Sequence, residues 1–459
     1  MGRKLYQKEK ATKKGFTIIE GLMLLFVFSV VSLSVYQATS VGIWHILEAR
    51  MRISGINLAN EKMEILRNLP YDQVAVVGGV PSGNIAPTEQ IILNGRQFNI
   101  TTDVLYVDDP DDGTVSDTDT VPNDYKVAHI TVAWGEKNGQ DIDLFARFVP
   151  SGVETTTGGG TIRINTQDSS GTPVPNVNVN VVNTNVSPSV NLTTQTDASG
   201  SLLIPGAPED TTNGYVVTLS KSGYETMGTL PPYNLTPYNP THTHLFVSQN
   251  GLSVRTFEIN QTTTTTMQAI DPFGATIDAI EFHLTGGKVL GSDPITSEPV
   301  YNHNDDHTTN SSGEVELTDF SSGEYVLTLN APSDTSYLLW KVNPGDDVQR
   351  DLFDIEPGSN STIEIVIMEK SFPSLFYNVT DTTGTPVQGV SVRVENTTLG
   401  YDVTQSTDKY GYAFFPQDTT PLVESANYEI TVSKSGYDDE TETVVISGLT
   451  EGGVSLTSD

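Results

Sequence analysis

The run Gly15-Phe16-Thr17-Ile18-Ile19-Glu20 sets a small residue, an aromatic and a carboxylate at the mouth of an apolar segment. From Phe16 to Trp44 there are 29 residues and one charge, Glu20. A carboxylate in lipid costs about 3 kcal/mol or more, so an acid there points to function and calls for a cationic partner. A cut after Gly15 would create that partner, because Phe16 would gain a free α-amine. Glu20 of one copy would then neutralise the amine of its neighbour and fix the axial register of packed helices.

Two further constellations carry candidate chemistry. Asp108, Asp109, Asp111 and Asp112 flank Pro110 and precede Gly113, with Asp117, Asp119 and Asp124 close behind. Clustered carboxylates of this kind ligate calcium through hard oxygens, which makes Asp108, Asp109, Asp111, Asp112, Asp117 and Asp119 calcium candidates. Their spacing departs from the twelve-residue EF-hand loop, and a solvated turn is the preferred reading. His303 and His307 bracket Asp305-Asp306, and His242 and His244 stand two apart. The first pair could form a metal site and the second could share one strand face, but exposed polar loop positions account for both. No serine, histidine and aspartate sit around a nucleophile elbow. Gly158-Gly159-Gly160 lacks the lysine of a phosphate loop. No enzyme is expected, and calcium is the one cofactor worth considering.

The elements that must position these residues follow from the pattern. Residues 1–15 hold six bases, Arg3, Lys4, Lys8, Lys10, Lys13 and Lys14, so this segment reads as a cytoplasmic leader before a single membrane crossing. A secretory signal places its small-residue cleavage site after the apolar run, whereas here it comes first. The apolar run passes into an amphipathic pattern, Ile46, Leu47, Met51, Leu58, Met63 and Leu66 among charges, and Pro70 stops it. One helix over 16–69 is expected, with Gly42 and Gly55 as points of local melting or merely tolerated glycines.

Residues 70–150 read as a β-rich head laid on that helix. Asn94-Gly95 makes a hairpin between Ile91–Leu93 and Gln97–Thr101, and Val104–Val107, Lys126–Trp134 and Asp141–Phe148 are further strands. Residues 151–160 are a linker. Self-similarity follows it. Asp168-Ser-Ser-Gly-Thr-Pro-Val, Thr196-Asp-Ala-Ser-Gly200 and Tyr215…Ser-Lys-Ser-Gly-Tyr224 recur as Asp381-Thr-Thr-Gly-Thr-Pro-Val, Thr407-Asp-Lys-Tyr-Gly411 and Tyr428…Ser-Lys-Ser-Gly-Tyr437. A weaker copy lies between them at Asp271-Pro-Phe-Gly274, Asn310-Ser-Ser-Gly313 and Tyr325–Leu329. Strand patterns alternate with Gly, Pro and Asn turns, so three β-sandwiches are expected, over 161–257, 258–370 and 371–459. The fold class is mainly β with one long N-terminal α-helix.

Composition excludes several functions. The net charge is −33, from 57 acidic and 24 basic residues, which disfavours nucleic acid and anionic membranes as partners. With no cysteine there are no disulfides, thiolate metal sites or thiol nucleophiles.

The sequence Lys-Lys-Gly15 before Phe16-Thr-Ile-Ile-Glu20 resembles the leader of type IV prepilins and pseudopilins. The resemblance implies a membrane peptidase that cuts after Gly15 and methylates Phe16, with Glu20 as the assembly residue. It also implies the plan of helix spine plus antiparallel head sheet. The repeats resemble carboxypeptidase regulatory-like, transthyretin-like domains, which are stalk and binding modules. Pilus proteins of the related Cna-B type lock such sandwiches with Lys–Asn bonds, but the first strands here, Thr161–Asn165 and Ser374–Val379, contain no lysine. The expected function is therefore a minor or modular pilin. It would sit in the inner membrane before assembly and be extracellular afterwards, partnered by the peptidase, by other pilin subunits and by an unknown surface or glycan. Two alternatives are a pseudopilin of a secretion or DNA-uptake system and a membrane-anchored carbohydrate-binding protein that never polymerises.

Overall fold

The computed structural model describes residues 18–109, 123–135, 141–150 and 159–458. It is mainly β, with one long N-terminal helix followed by many sheets. It divides into two compact units, the helix with the head and the region that begins after the linker.

In the first unit, α1 (Ile18–Arg67) runs unbroken for 50 residues, about 75 Å at 1.5 Å per residue. It passes straight through Gly42 and Gly55, so neither glycine melts it. Asn68 and Leu69 close the helix with backbone bonds to Glu64 and Leu66, and Pro70 follows. Four strands then form an antiparallel meander: β1 (Thr88–Leu93), β2 (Arg96–Val107), β3 (Tyr125–Trp134) and β4 (Asp141–Phe148). The Asn94-Gly95 hairpin is present, with Leu93 opposite Arg96 and both turn residues at positive φ, as such a two-residue turn requires. The expected strands Gln97–Thr101 and Val104–Val107 prove to be one continuous strand, because Thr102 and Asp103 keep the alternation going.

One face of the meander covers the C-terminal half of α1. Leu58, Ala59, Met63 and Leu66 pack against Phe98, Ile100, Val104, Ala128, Ile130 and Val132. Along β3 every second residue is buried, and this places Lys126 on the inner face with Ala128, Ile130, Val132 and Trp134. Gly55 meets Trp134 so closely that an added Cβ would lie 2.8 Å from the indole. That position needs a glycine for packing.

The second unit holds three pairs of sheets. In each pair the first strand lies parallel to the last: Gly160–Gln167 with Leu252–Glu258, Thr263–Ile270 with Asn360–Glu369, and Ser374–Asp381 with Leu449–Leu456. The repeated motifs do the same work in every copy. Asp168 Oδ1 accepts the N–H groups of Ser170 and Thr172 at 3.0 and 2.9 Å. Asp271 does this for Phe273 and Ala275, and Asp381 for Thr383 and Thr385. The glycine inside each of these turns has φ between +80° and +87°, which L side chains rarely adopt. Thr196, Thr309 and Thr407 each accept a buried backbone N–H, from Val177, Ile280 and Val390, at 2.9–3.0 Å. Tyr215, Tyr325 and Tyr428 are fully buried at the centres of the three cores. The middle copy, weakest in sequence, keeps all three devices.

Only four residues separate the second pair of sheets from the third, and the two are cemented by Met368, Phe376 and Phe414 packed with Phe273 and Trp340. Trp340 Nε1 also donates to Asp408 Oδ2 at 3.0 Å.

Candidate functional site

The first half of α1 covers itself with nothing. Leu22, Leu24, Phe26, Phe28, Val31 and Leu33 are 54–69% exposed, and within the first unit only the stretch from Gly55 onward is buried. A soluble helix does not spend so many large apolar residues on solvent, since each fully buried one is worth about 1.5–3 kcal/mol. The segment is long and apolar enough to cross a membrane. Its hydroxyls are satisfied inside the helix: Ser29, Ser34 and Thr39 donate to the carbonyls four residues earlier at 2.7–2.8 Å. Glu20 stands in the first turn of this segment, on its exposed surface. Gly15 and Phe16 lie outside the described residues.

The lower half of the helix is anchored differently. Lys62 pairs with Glu89 at 2.6 Å, and Trp134 Nε1 donates to Glu48 Oε1 at 3.3 Å. Lys126, buried on the inner face of β3, donates to the carbonyls of Tyr71 and Val74 at 2.8 and 3.0 Å, just past the helix end. Burial pushes its ammonium down to about 8, although Asp72 nearby opposes the shift. Sequence reading missed this lysine as a structural clamp. The signal was its place in the period-two pattern of β3.

Of the calcium candidates, Asp108 and Asp109 fall within the described residues. Asp109 Oδ2 accepts from Arg147 Nη2 at 3.0 Å, and its backbone N–H donates to Asp124. Asp111, Asp112, Asp117 and Asp119 lie outside the described residues. Among the described residues no group of three or more His, Asp or Glu has metal-holding geometry. The histidine pairs differ from one another. His303 and His307 stack, with Nε2 atoms 3.0 Å apart, and desolvation lowers the affinity of both for protons. His283 brackets the same strand by pairing with Asp306 and Asn304. His244 contacts Thr229 at 2.9 Å, and His242 packs on Phe257.

No family model matches the chain, and no curated protein matches it. Among solved structures, the Bacillus anthracis TIE protein aligns at 12% identity over 81% of this chain and 61% of its own, with a TM-score of 0.19. A streptococcal ancillary pilin aligns at 12% identity over 66% of this chain and 99% of its own, with a TM-score of 0.20. A variant of the major pilin subunit of Bacillus cereus aligns at 10% identity over 65% and 100%, with a TM-score of 0.16.

Proposed function

We propose that this chain is a subunit of a type IV pilus, cut after Gly15, methylated on Phe16 and polymerised through α1. The observation that carries the reading is the helix itself. Its apolar half is unpacked within its own unit, interrupted by a single acid, and continuous with a half locked onto a folded head. Such a helix suits a membrane first and a bundle of like helices afterwards, because both environments cover the same surface. Within the bundle, Glu20 neutralises the α-amine of the neighbouring subunit. The β-modules are then the part displayed for surface contact.

Intact-mass and N-terminal analysis of the surface-exposed protein tests this. The expected chain begins at Phe16 and carries one added methyl group. Glu20→Ala is expected to leave that processing intact and to abolish filament recovery. A chain that reaches the surface with residues 1–15 attached refutes the proposal.

A further inference from the structure

A cleft lies between the first and second pairs of sheets, in two lobes of about 660 and 720 Å³ that share Met227, Thr241, His242, Lys288 and Val289. Its construction is specific. Asn239–Pro240, on an excursion of the first module, pairs as a strand with Ser292 and Gly291 of the second. A Cβ on Gly291 would lie 2.1 Å from the Asn239 carbonyl oxygen, so the contact depends on that glycine. The strand Glu281–Ser292 is irregular between Gly286 and Val289, and a bulge of this kind re-aims side chains. Here Lys288 reaches Glu225 across the cleft at 3.1 Å.

Glu225 is the unusual group. Its side chain is 7% exposed, Lys288 takes Oε2, and Oε1 is buried with no hydrogen-bond partner. His242 Nδ1 is in the same condition. Burial, with Arg255 and Lys288 nearby, pushes His242 down to about 4, so its imidazole is neutral at pH 7. A buried acceptor left without a donor is destabilising, and a charged one more so than a neutral one. The final torsion of a glutamate is broad, so the carboxylate can turn one oxygen to a ligand while the other keeps Lys288. The remaining charges on the two lobes, Asp319, Glu258, Asp354 and Glu356, are all acidic. Tyr224, Tyr238 and Leu290 supply apolar surface beside threonine and serine hydroxyls. An occupant must donate hydrogen bonds, carry no negative charge, and show both a polar edge and an apolar face.

We propose that this cleft binds a neutral or amino-bearing saccharide, one hydroxyl or ammonium of which donates to Glu225. The inference stands apart from filament assembly, because it needs only the folded modules. The test uses the full chain in a detergent with no sugar headgroup, titrated calorimetrically with cellobiose, glucosamine disaccharide and digalacturonate. Cellobiose or the glucosamine disaccharide is expected to bind saturably, and digalacturonate at least about tenfold more weakly. Binding of the glucosamine disaccharide alone identifies the donor as an ammonium, and binding of cellobiose identifies it as a hydroxyl. Glu225→Gln is expected to weaken binding by about tenfold or more. Val289→Trp, at a position 46% exposed and lining both lobes, is expected to abolish it by filling the space without touching the ion pair. If Glu225→Gln lowers the thermal midpoint, Val289→Trp decides. The proposal is overturned if neither cellobiose nor the glucosamine disaccharide binds up to about 20 mM. Equal binding of digalacturonate, or binding unchanged in Val289→Trp, overturns it too.

Discussion

Lys126 makes the head domain more stable in mild alkali, against the usual trend. Its ammonium falls from the ordinary 10.5 to about 8 in the folded chain, chiefly through burial. Below pH 8 both folded and unfolded chains hold the proton, and the full penalty of burying the charge applies. Between pH 8 and 10.5 the unfolded chain binds more protons than the folded one, so stability rises with pH. At 1.36 kcal/mol for each pH unit, the gain is about 2 kcal/mol by pH 9.5 and about 3 kcal/mol when complete. Lys126→Met removes the titration together with the hydrogen bonds to Tyr71 and Val74. The lost bonds shift the variant's stability by an amount that does not change with pH. The informative quantity is therefore the wild-type minus variant difference across the pH series. Denaturant unfolding would be followed by the fluorescence of Trp134, which sits in the same core, with Trp44 and Trp340 replaced by Phe. The difference should move in favour of the wild type by about 2 kcal/mol from pH 7 to 9.5. A flat difference, or one that moves against the wild type, would show that Lys126 keeps its ordinary affinity for protons and that the buried clamp is misread.

Gly55→Ala is expected to destabilise the head by about 1–3 kcal/mol through the clash with Trp134, despite the roughly 1 kcal/mol that alanine adds to a helix. Gly42→Ala, with nothing within 4 Å of the new methyl within its unit, is the control, and equal effects in thermal unfolding would refute the packing argument. Thr407→Val keeps the shape but strips the partner from the Val390 N–H and the Val387 carbonyl, and should cost about 2 kcal/mol or more in denaturant unfolding. The matching changes at Thr196 and Thr309 should behave alike, and a spread of more than about 2 kcal/mol among them would break the claim that the three modules share one design.

Much of this architecture could be read from the residues because local rules govern it. The Asn94-Gly95 hairpin, the Pro70 stop and the aspartate-glycine turns each depend on a few adjacent positions. The merged strand β2 was harder to see, since Thr102 and Asp103 look like a turn until the neighbouring strand pairs with them. Lys126 and Gly55 escaped for a related reason. A lysine on an apolar face and a glycine within a helix acquire meaning only from what tertiary packing brings to them, carbonyls in one case and an indole in the other. The Glu225–Lys288 pair joins residues 63 apart across two modules, and no spacing rule reaches that far. A faint sign was there, because an acid follows the closing tyrosine of the repeat in both strong copies, as Glu225 and Asp438.

The parallel pairing of first and last strands gives each module a mechanical character. Tension enters a module at the start of its first strand and leaves at the end of its last. In a parallel pair those two points lie at opposite ends of the ladder, so the pull slides one strand along the other. Seven or eight residue pairs join the two strands in each module, and all of them share the load at once. In an antiparallel pair the same pull would open one rung at a time, starting from a single end. The three modules in series therefore resist tension without disulfides, in a chain that contains no cysteine.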